Sequence, residues 1–201
     1  MNKFAAMLNE QRWDDHRYYH HSLVNQSLHM LSACTFMCAY ILAFFDAPLA
    51  AVIGWTVAMT SRQIGHFWFE PRCYDHVNHA THDHKEEIKV GYNLQRKVVL
   101  MTIWALSPLL LWAYPSLFGA LTPAHNAWSF IHNVGWLWLG IAVVGLAGRT
   151  IQLFFVRDVP TGLVWATKIL TDPFSDSRLY CKSPMRLLRG ERFEEPGFLA
   201  N

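Results

Sequence analysis

The chain has 201 residues, of which 52% are apolar and 16% charged, with a formal net charge of +2. That balance is rich in hydrophobic residues and poor in charge for a soluble domain, and it points to an integral membrane protein. The charge is too small, and the Lys and Arg too scattered, for a nucleic-acid partner. Met1 to Asp15 lack the apolar core and small-residue cleavage site of a signal peptide, so no segment is expected to be removed.

Residues 1 to 19 alternate charged groups with Phe4, Trp13, Tyr18 and Tyr19, the pattern of an interfacial helix with aromatic rings at headgroup depth. Ser22 is a suitable N-cap for the first apolar segment, about 22–45. Asp46-Ala-Pro48 turns the chain into a second segment, about 47–69. A polar connection, 70–97, precedes a third segment, 98–121, which contains Pro108. An uncharged loop, 122–133, leads to the fourth segment, 134–156. Each segment approaches the ~20 residues that span a bilayer. The expected fold is an all-α bundle of four transmembrane helices occupying residues 1–175, followed by a polar tail, 176–201. Lys and Arg cluster in the N-terminal region, in the 70–97 connection and in the tail, but are absent from the two intervening turns. The positive-inside rule then places both termini in the cytoplasm, with a histidine-rich cytoplasmic face.

Four cysteines form no CxxC pair and read as small buried hydrophobes. The eleven histidines carry more information, because nine precede residue 85. Asn25 and His29 are four apart on one helical face, and His29 falls inside an apolar segment, where an unpartnered polar group is costly. A hydrogen bond to Asn25 or to a neighbouring carbonyl is the plain alternative to metal ligation. His20 cannot share that face in an unbroken helix, so either the chain breaks near Ser22 or His21 takes its place. Gln63, His66 and Glu70 align at i, i+3 and i+7, and Gly65 permits close approach of another backbone. In the 70–97 connection, a helix would align Asp75, His79 and His82, or His76, His79 and Asp83. Two imidazoles and a carboxylate form the ligand set of non-haem Fe(II) sites, although a solvated histidine loop gives the same spacing. Histidines on facing helices are a common way to build a metal site in a bundle. His125 and His132 fall on the opposite side and are expected to play no part.

Two stretches together resemble the Mpo1-like family of small membrane proteins. They are Tyr19-His20-x-x-x-Val24-Asn25-x-x-x-His29 and Gln63-Ile64-Gly65-His66-x-x-Phe69-Glu70, separated by a membrane hairpin. The resemblance covers residues 15 to 72, and the four-segment layout extends it to about 175. It implies an Fe(II)-dependent dioxygenase that uses O2 to shorten 2-hydroxy fatty acids by one carbon, working within the lipid bilayer. It also implies that His20, His29 and His66 are the ligands or catalytic histidines, supported by Asn25, Gln63 and Glu70; the spacing within the loop, apart from the resemblance, offers His79 and His82 as further metal ligands. Choosing His20 over His21 requires a break near Ser22. The long histidine loop after Glu70 departs from the family pattern. Two other readings remain: a di-iron lipid hydroxylase or desaturase, though its HxxHH boxes are missing, and a non-enzymatic metal-binding or transport protein.

Overall fold

The computed structural model describes residues 2–194; the end of the tail, including Pro196, lies outside the described residues. Asn2 caps α1 (Lys3–Tyr19) by accepting from the Phe4 amide. The helix stops at His20, and α2 (Leu23–Leu42) restarts with Ser22 as N-cap. Two side chains of α2 close the gap. Asn25 donates to the Tyr19 carbonyl at 3.0 Å and Gln26 to the His20 carbonyl at 2.7 Å, satisfying acceptors that the end of α1 leaves open. The Leu23 amide bonds the Arg192 carbonyl, so the break is also held by the far end of the chain.

Asp46 caps the return helix through the Leu49 amide, and Pro48 occupies its first turn. That helix comprises α3 (Ala47–Ile53), a π-helical stretch (Gly54–Met59) and α4 (Thr60–Trp68), with right-handed helical geometry at both joins. Such π stretches tend to occur at functional sites, because the wider turn rotates the next helical segment about the axis. The segment rotated here is α4, which bears Gln63, Gly65 and His66.

In the connection after α4, Thr81 caps a short α5 (His82–Ile88). The expected helical stripe from Asp75 to His82 does not form. Asp75 instead accepts from the Val77 and Asn78 amides, a tight turn that His79 completes with a φ of 50°. The third apolar helix, α6 (Leu94–Ala113), starts earlier than expected because Asn93 caps it. It also ends earlier, at Tyr114, since the following Pro115 disfavours helical geometry in the residue before it. In the same way, α7 (Ala127–Val156) gains two turns from a reciprocal Asn126–Ser129 cap.

The largest departure lies in the expected tail. Asp158 caps α8 (Val159–Leu179), with Pro160 in its first turn, and α8 packs against α1, α2 and α7. A short α9 (Ser183–Leu188) packs against α2. Residues 176–194 are therefore continuous with the bundle, not a separate tail.

All the regular elements among the described residues are helical. Trp55, Leu111, Val134 and Trp138 form an apolar core, with Trp55 donating to the Trp138 carbonyl. Gly135 lies so close to α3 that a Cβ there would stand 2.2 Å from the Pro48 carbonyl oxygen. Two helices, α6 and α7, are long and apolar enough to cross a membrane, and Val98, Ile103, Leu109, Val144 and Phe155 on them are exposed. At ~1.5 Å per residue, α6 matches a ~30 Å hydrocarbon core. By contrast, α2 buries Asn25, Gln26, His29 and Ser32 against the rest of the protein.

Candidate metal centre

His20, His29 and His66 meet where the α1–α2 break faces the end of α4. Their ring centroids are 4.1 Å apart for His20 and His29, 4.9 Å for His29 and His66, and 5.4 Å for His20 and His66. One nitrogen from each lies within 4.8 Å of the others, and all three residues are buried.

The break puts His20 there. Free of the helical register, its ring turns back onto His29, nine residues on, which an unbroken helix would hold half a turn away. Gly65 allows α4 to close. A Cβ at this position would stand 2.1 Å from the Asn25 side-chain oxygen and 3.5 Å from the His29 ring, so only glycine accepts the approach.

Each ring presents its Nδ1 to an oxygen. His20 Nδ1 is 2.7 Å from the Tyr180 hydroxyl, and His66 Nδ1 is 2.8 Å from Glu70 Oε2. His29 Nδ1 faces Asp176 at 3.7 Å, beyond hydrogen-bond distance. His20 Nε2 and both nitrogens of His29 are buried with no hydrogen-bond partner. An unsatisfied buried polar nitrogen costs ~1–3 kcal/mol, and a metal ion between the rings would relieve one on His20 and one on His29. The donor set fits an ion that accepts imidazole: three neutral nitrogens, with oxygens behind two of them to fix the tautomer and raise basicity.

The electrostatics agree. Burial, reinforced by the nearby His29, holds His20 well below the usual histidine range, so its ring stays neutral and able to ligate. Burial raises Glu70, against the opposing pull of Lys89 and Lys97, which makes it a stronger acceptor for His66. Burial and Asp176 push the Tyr180 hydroxyl well up, which keeps it protonated. Tyr180 also lies 3.3 Å from His16 Nδ1, and His16 Nε2 lies 3.2 Å from Glu194.

A buried ionic lattice clamps the walls. Arg62 of α4 pairs with Asp176 at 2.8 Å and with Asp172 at 3.7 Å, both on α8. Lys168 joins Asp172 to Asp15 of α1, and Arg12 reaches Asp172 at 3.3 Å. Burial alone would raise the Asp15 carboxyl, but the charge and hydrogen bond of Lys168 outweigh it and lower the pKa.

Of the remaining expected site residues, Asn25 lies with the His29 ring against Gly65, and Asn25 and Gln63 each have a buried side-chain oxygen lacking a partner, while the Gln63 amide donates to Met59 Sδ. His79 and His82 do not join the three-histidine group. His79 is exposed on the turn that Asp75 builds, and His82 is half-buried at the start of α5. Asp75 is no free ligand either, since it is buried against Lys85 at 2.7 Å. His132 lies at the other end of the hairpin, 3.4 Å from Asp46. The sequence reading missed Tyr180, Asp172 and Asp176. The signal was present: Lys168, Asp172, Asp176 and Tyr180 recur every four residues, a polar stripe on one face of a helix.

Comparison with protein-family models, with curated proteins and with solved structures returned no match.

Proposed function

We propose that this chain is a membrane-embedded, Fe(II)-dependent dioxygenase of the Mpo1-like kind, which shortens 2-hydroxy fatty acids by one carbon. The observation that carries the proposal is the buried trio of His20, His29 and His66, with unsatisfied nitrogens on His20 and His29. Three imidazoles, those of His20 and His66 held by an oxygen at Nδ1, with no fourth side-chain ligand in the group, suit an ion that keeps positions open for substrate and oxygen. The described residues contain one such group, which favours a single ion over a di-iron centre. Apolar faces on α6 and α7 favour a lipid substrate that arrives from the bilayer. In this reading α2 and the α3–α4 helix also lie in the membrane, giving four spans with both termini cytoplasmic and the histidines at the cytoplasmic edge.

When bound, the iron would supply Lewis acidity and one-electron chemistry toward oxygen. The protein's part is positioning. Glu70 takes the His66 Nδ1 proton in a hydrogen bond and leaves Nε2 for the ion; Tyr180 does the same for His20. Gly65 sets the spacing of α2 and α4, and the ionic lattice holds α1, α4 and α8 around the cluster so that water is kept out.

The test is oxygen uptake by anaerobically purified protein, reconstituted with Fe(II) in detergent, on addition of a long-chain 2-hydroxy fatty acid. Uptake in step with a product one carbon shorter is expected. Retained iron with no uptake overturns the substrate assignment, and failure to retain any divalent metal overturns the site.

A further inference from the structure

The α1–α2 break is bridged by residues 192–194. The Leu23 amide bonds the Arg192 carbonyl at 2.9 Å, the Glu194 amide bonds the His21 carbonyl at 3.0 Å, and Ser22 and Phe193 pair as an isolated β-bridge. These main-chain bonds hold the strap across the turn from which His20 reaches the cluster, and they fix where the Glu194 side chain stands. Its Oε2 accepts from Gln26 Nε2 at 3.0 Å and lies 3.2 Å from His16 Nε2. Gln26 has a fixed orientation, since its Nε2 also donates to the His20 carbonyl and its Oε1 accepts from the Ser183 hydroxyl at 2.6 Å.

From this carboxylate a row of contacts leads inward. His16 Nδ1 lies 3.3 Å from the Tyr180 hydroxyl, and that hydroxyl lies 2.7 Å from His20 Nδ1. Donor and acceptor roles along the row depend on one another. The His16 ring, outweighing burial, holds the Glu194 carboxyl below the usual carboxylate range, so it is ionised and offers only lone pairs. The nitrogen facing it, His16 Nε2, then carries the single hydrogen of the neutral ring, and His16 Nδ1 is an acceptor. Tyr180 has one hydroxyl hydrogen, and His16 Nδ1 takes it. The Tyr180 oxygen is left to accept from His20, which puts the His20 hydrogen on Nδ1. The lone pair of His20 is therefore on Nε2, the nitrogen that is buried with no hydrogen-bond partner. The reverse order, with Tyr180 donating to His20 Nδ1, would leave His16 Nδ1 without that donor and put a hydrogen on buried His20 Nε2 with nothing to receive it.

We infer that Glu194 and His16 are positioning residues of the metal centre: by setting the direction of these hydrogen bonds they select the His20 tautomer whose Nε2 is free to hold an ion. The inference rests on the metal-site reading above and adds why Tyr180, a hydroxyl able to donate or accept, accepts from His20. Both residues act through Tyr180.

The experiment reads the tautomer directly and without metal. The full chain, metal-free in detergent at about pH 8, above the ordinary imidazole pKa of about 6.5, is labelled at its histidine ring nitrogens. NMR couplings within each ring separate the Nδ1–H from the Nε2–H form, and the signal missing from His20→Asn is that of His20. The unaltered protein should hold His20 in the Nδ1–H form. Glu194→Leu keeps the main-chain bonds of the strap but removes the acceptor, and should give a mixture of both forms. Glu194→Gln, whose amide oxygen still accepts, should restore the single form. Fe(II) affinity, from anaerobic competition with a chelator, should fall by up to about tenfold in Glu194→Leu. The same substitution should cost nothing further in Tyr180→Phe, where the row is already cut. His20 in the Nε2–H form in the unaltered protein overturns the inference without any variant. An unchanged tautomer in Glu194→Leu overturns it too, as does an equal affinity loss in the Tyr180→Phe background, which a merely structural strap would give. The expected tautomers with no metal retained keep the hydrogen-bond order and remove the metal-site reading.

Discussion

Two groups of histidines, ten residues apart in the chain at their nearest members His66 and His76, differ in burial and in arrangement. His20, His29 and His66 come from three segments, are buried, and face one another, with unsatisfied nitrogens on His20 and His29. His76, His79, His82 and His84 come from one segment, crowd within nine residues, and are exposed except for half-buried His82. The second group is the denser in sequence and the poorer as a site, because nothing holds its rings toward a common point. A ligand set needs fixed directions, and burial against rigid helices supplies them; local density supplies only concentration.

The sharpest way to break this comparison is to delete one member of each group. His29→Ala or His66→Ala should abolish metal retention and turnover, whereas the double variant His79→Ala/His82→Ala should keep both near the unaltered level. Metal analysis after gel filtration reads the first property and oxygen uptake the second, and equal losses in the two cases would return the loop to the site.

Gly65→Ala tests whether helix spacing makes the cluster. The added methyl meets Asn25 Oδ1 at 2.1 Å, so α2 and α4 must separate. Iron content should fall to a small fraction while the circular dichroism of the helices persists. Full iron retention would mean that the site tolerates a wider gap.

Glu70→Gln keeps the shape but weakens the acceptor behind His66. A loss of about tenfold to a hundredfold in metal affinity is expected from competition with a chelator, with Tyr180→Phe at the lower end of that range. No change in Glu70→Gln would reduce the 2.8 Å contact to a packing feature.

The smallest effect concerns pH in the metal-free protein. The folded pKa of His20 lies below its unfolded value near 6.5, so the unfolded chain binds the extra proton first. The stability due to this group is complete above about pH 6.5 and falls by up to about 1.4 kcal/mol per pH unit below that, until the folded pKa is reached. The thermal midpoint should drop between pH 7 and pH 5.5, by less in His20→Asn than in the unaltered chain. A parallel drop in both would assign the sensitivity to other groups.

Much of the fold was readable from local rules. The apolar segments, the Asp46 turn, the Ser22 cap and the break it demands were all visible in residue type and spacing. So was the role of Gly65, since a glycine beside a histidine on an otherwise bulky helix invites close packing. The helix ends were less legible, because caps such as Asn93 and Asn126 lie outside the apolar runs that drew attention to the segments.

By itself the sequence determined that the chain is helical and apolar, where it turns, and that histidines at 20, 29 and 66 could share a purpose. Only the tertiary structure decided that α8 closes the site with Asp172, Asp176 and Tyr180, and that Asp75 is spent on Lys85. The physical reason is range. Caps, turns and helical faces are set by neighbours within about four residues, whereas the pairing of a buried charge depends on which distant segment packs against it.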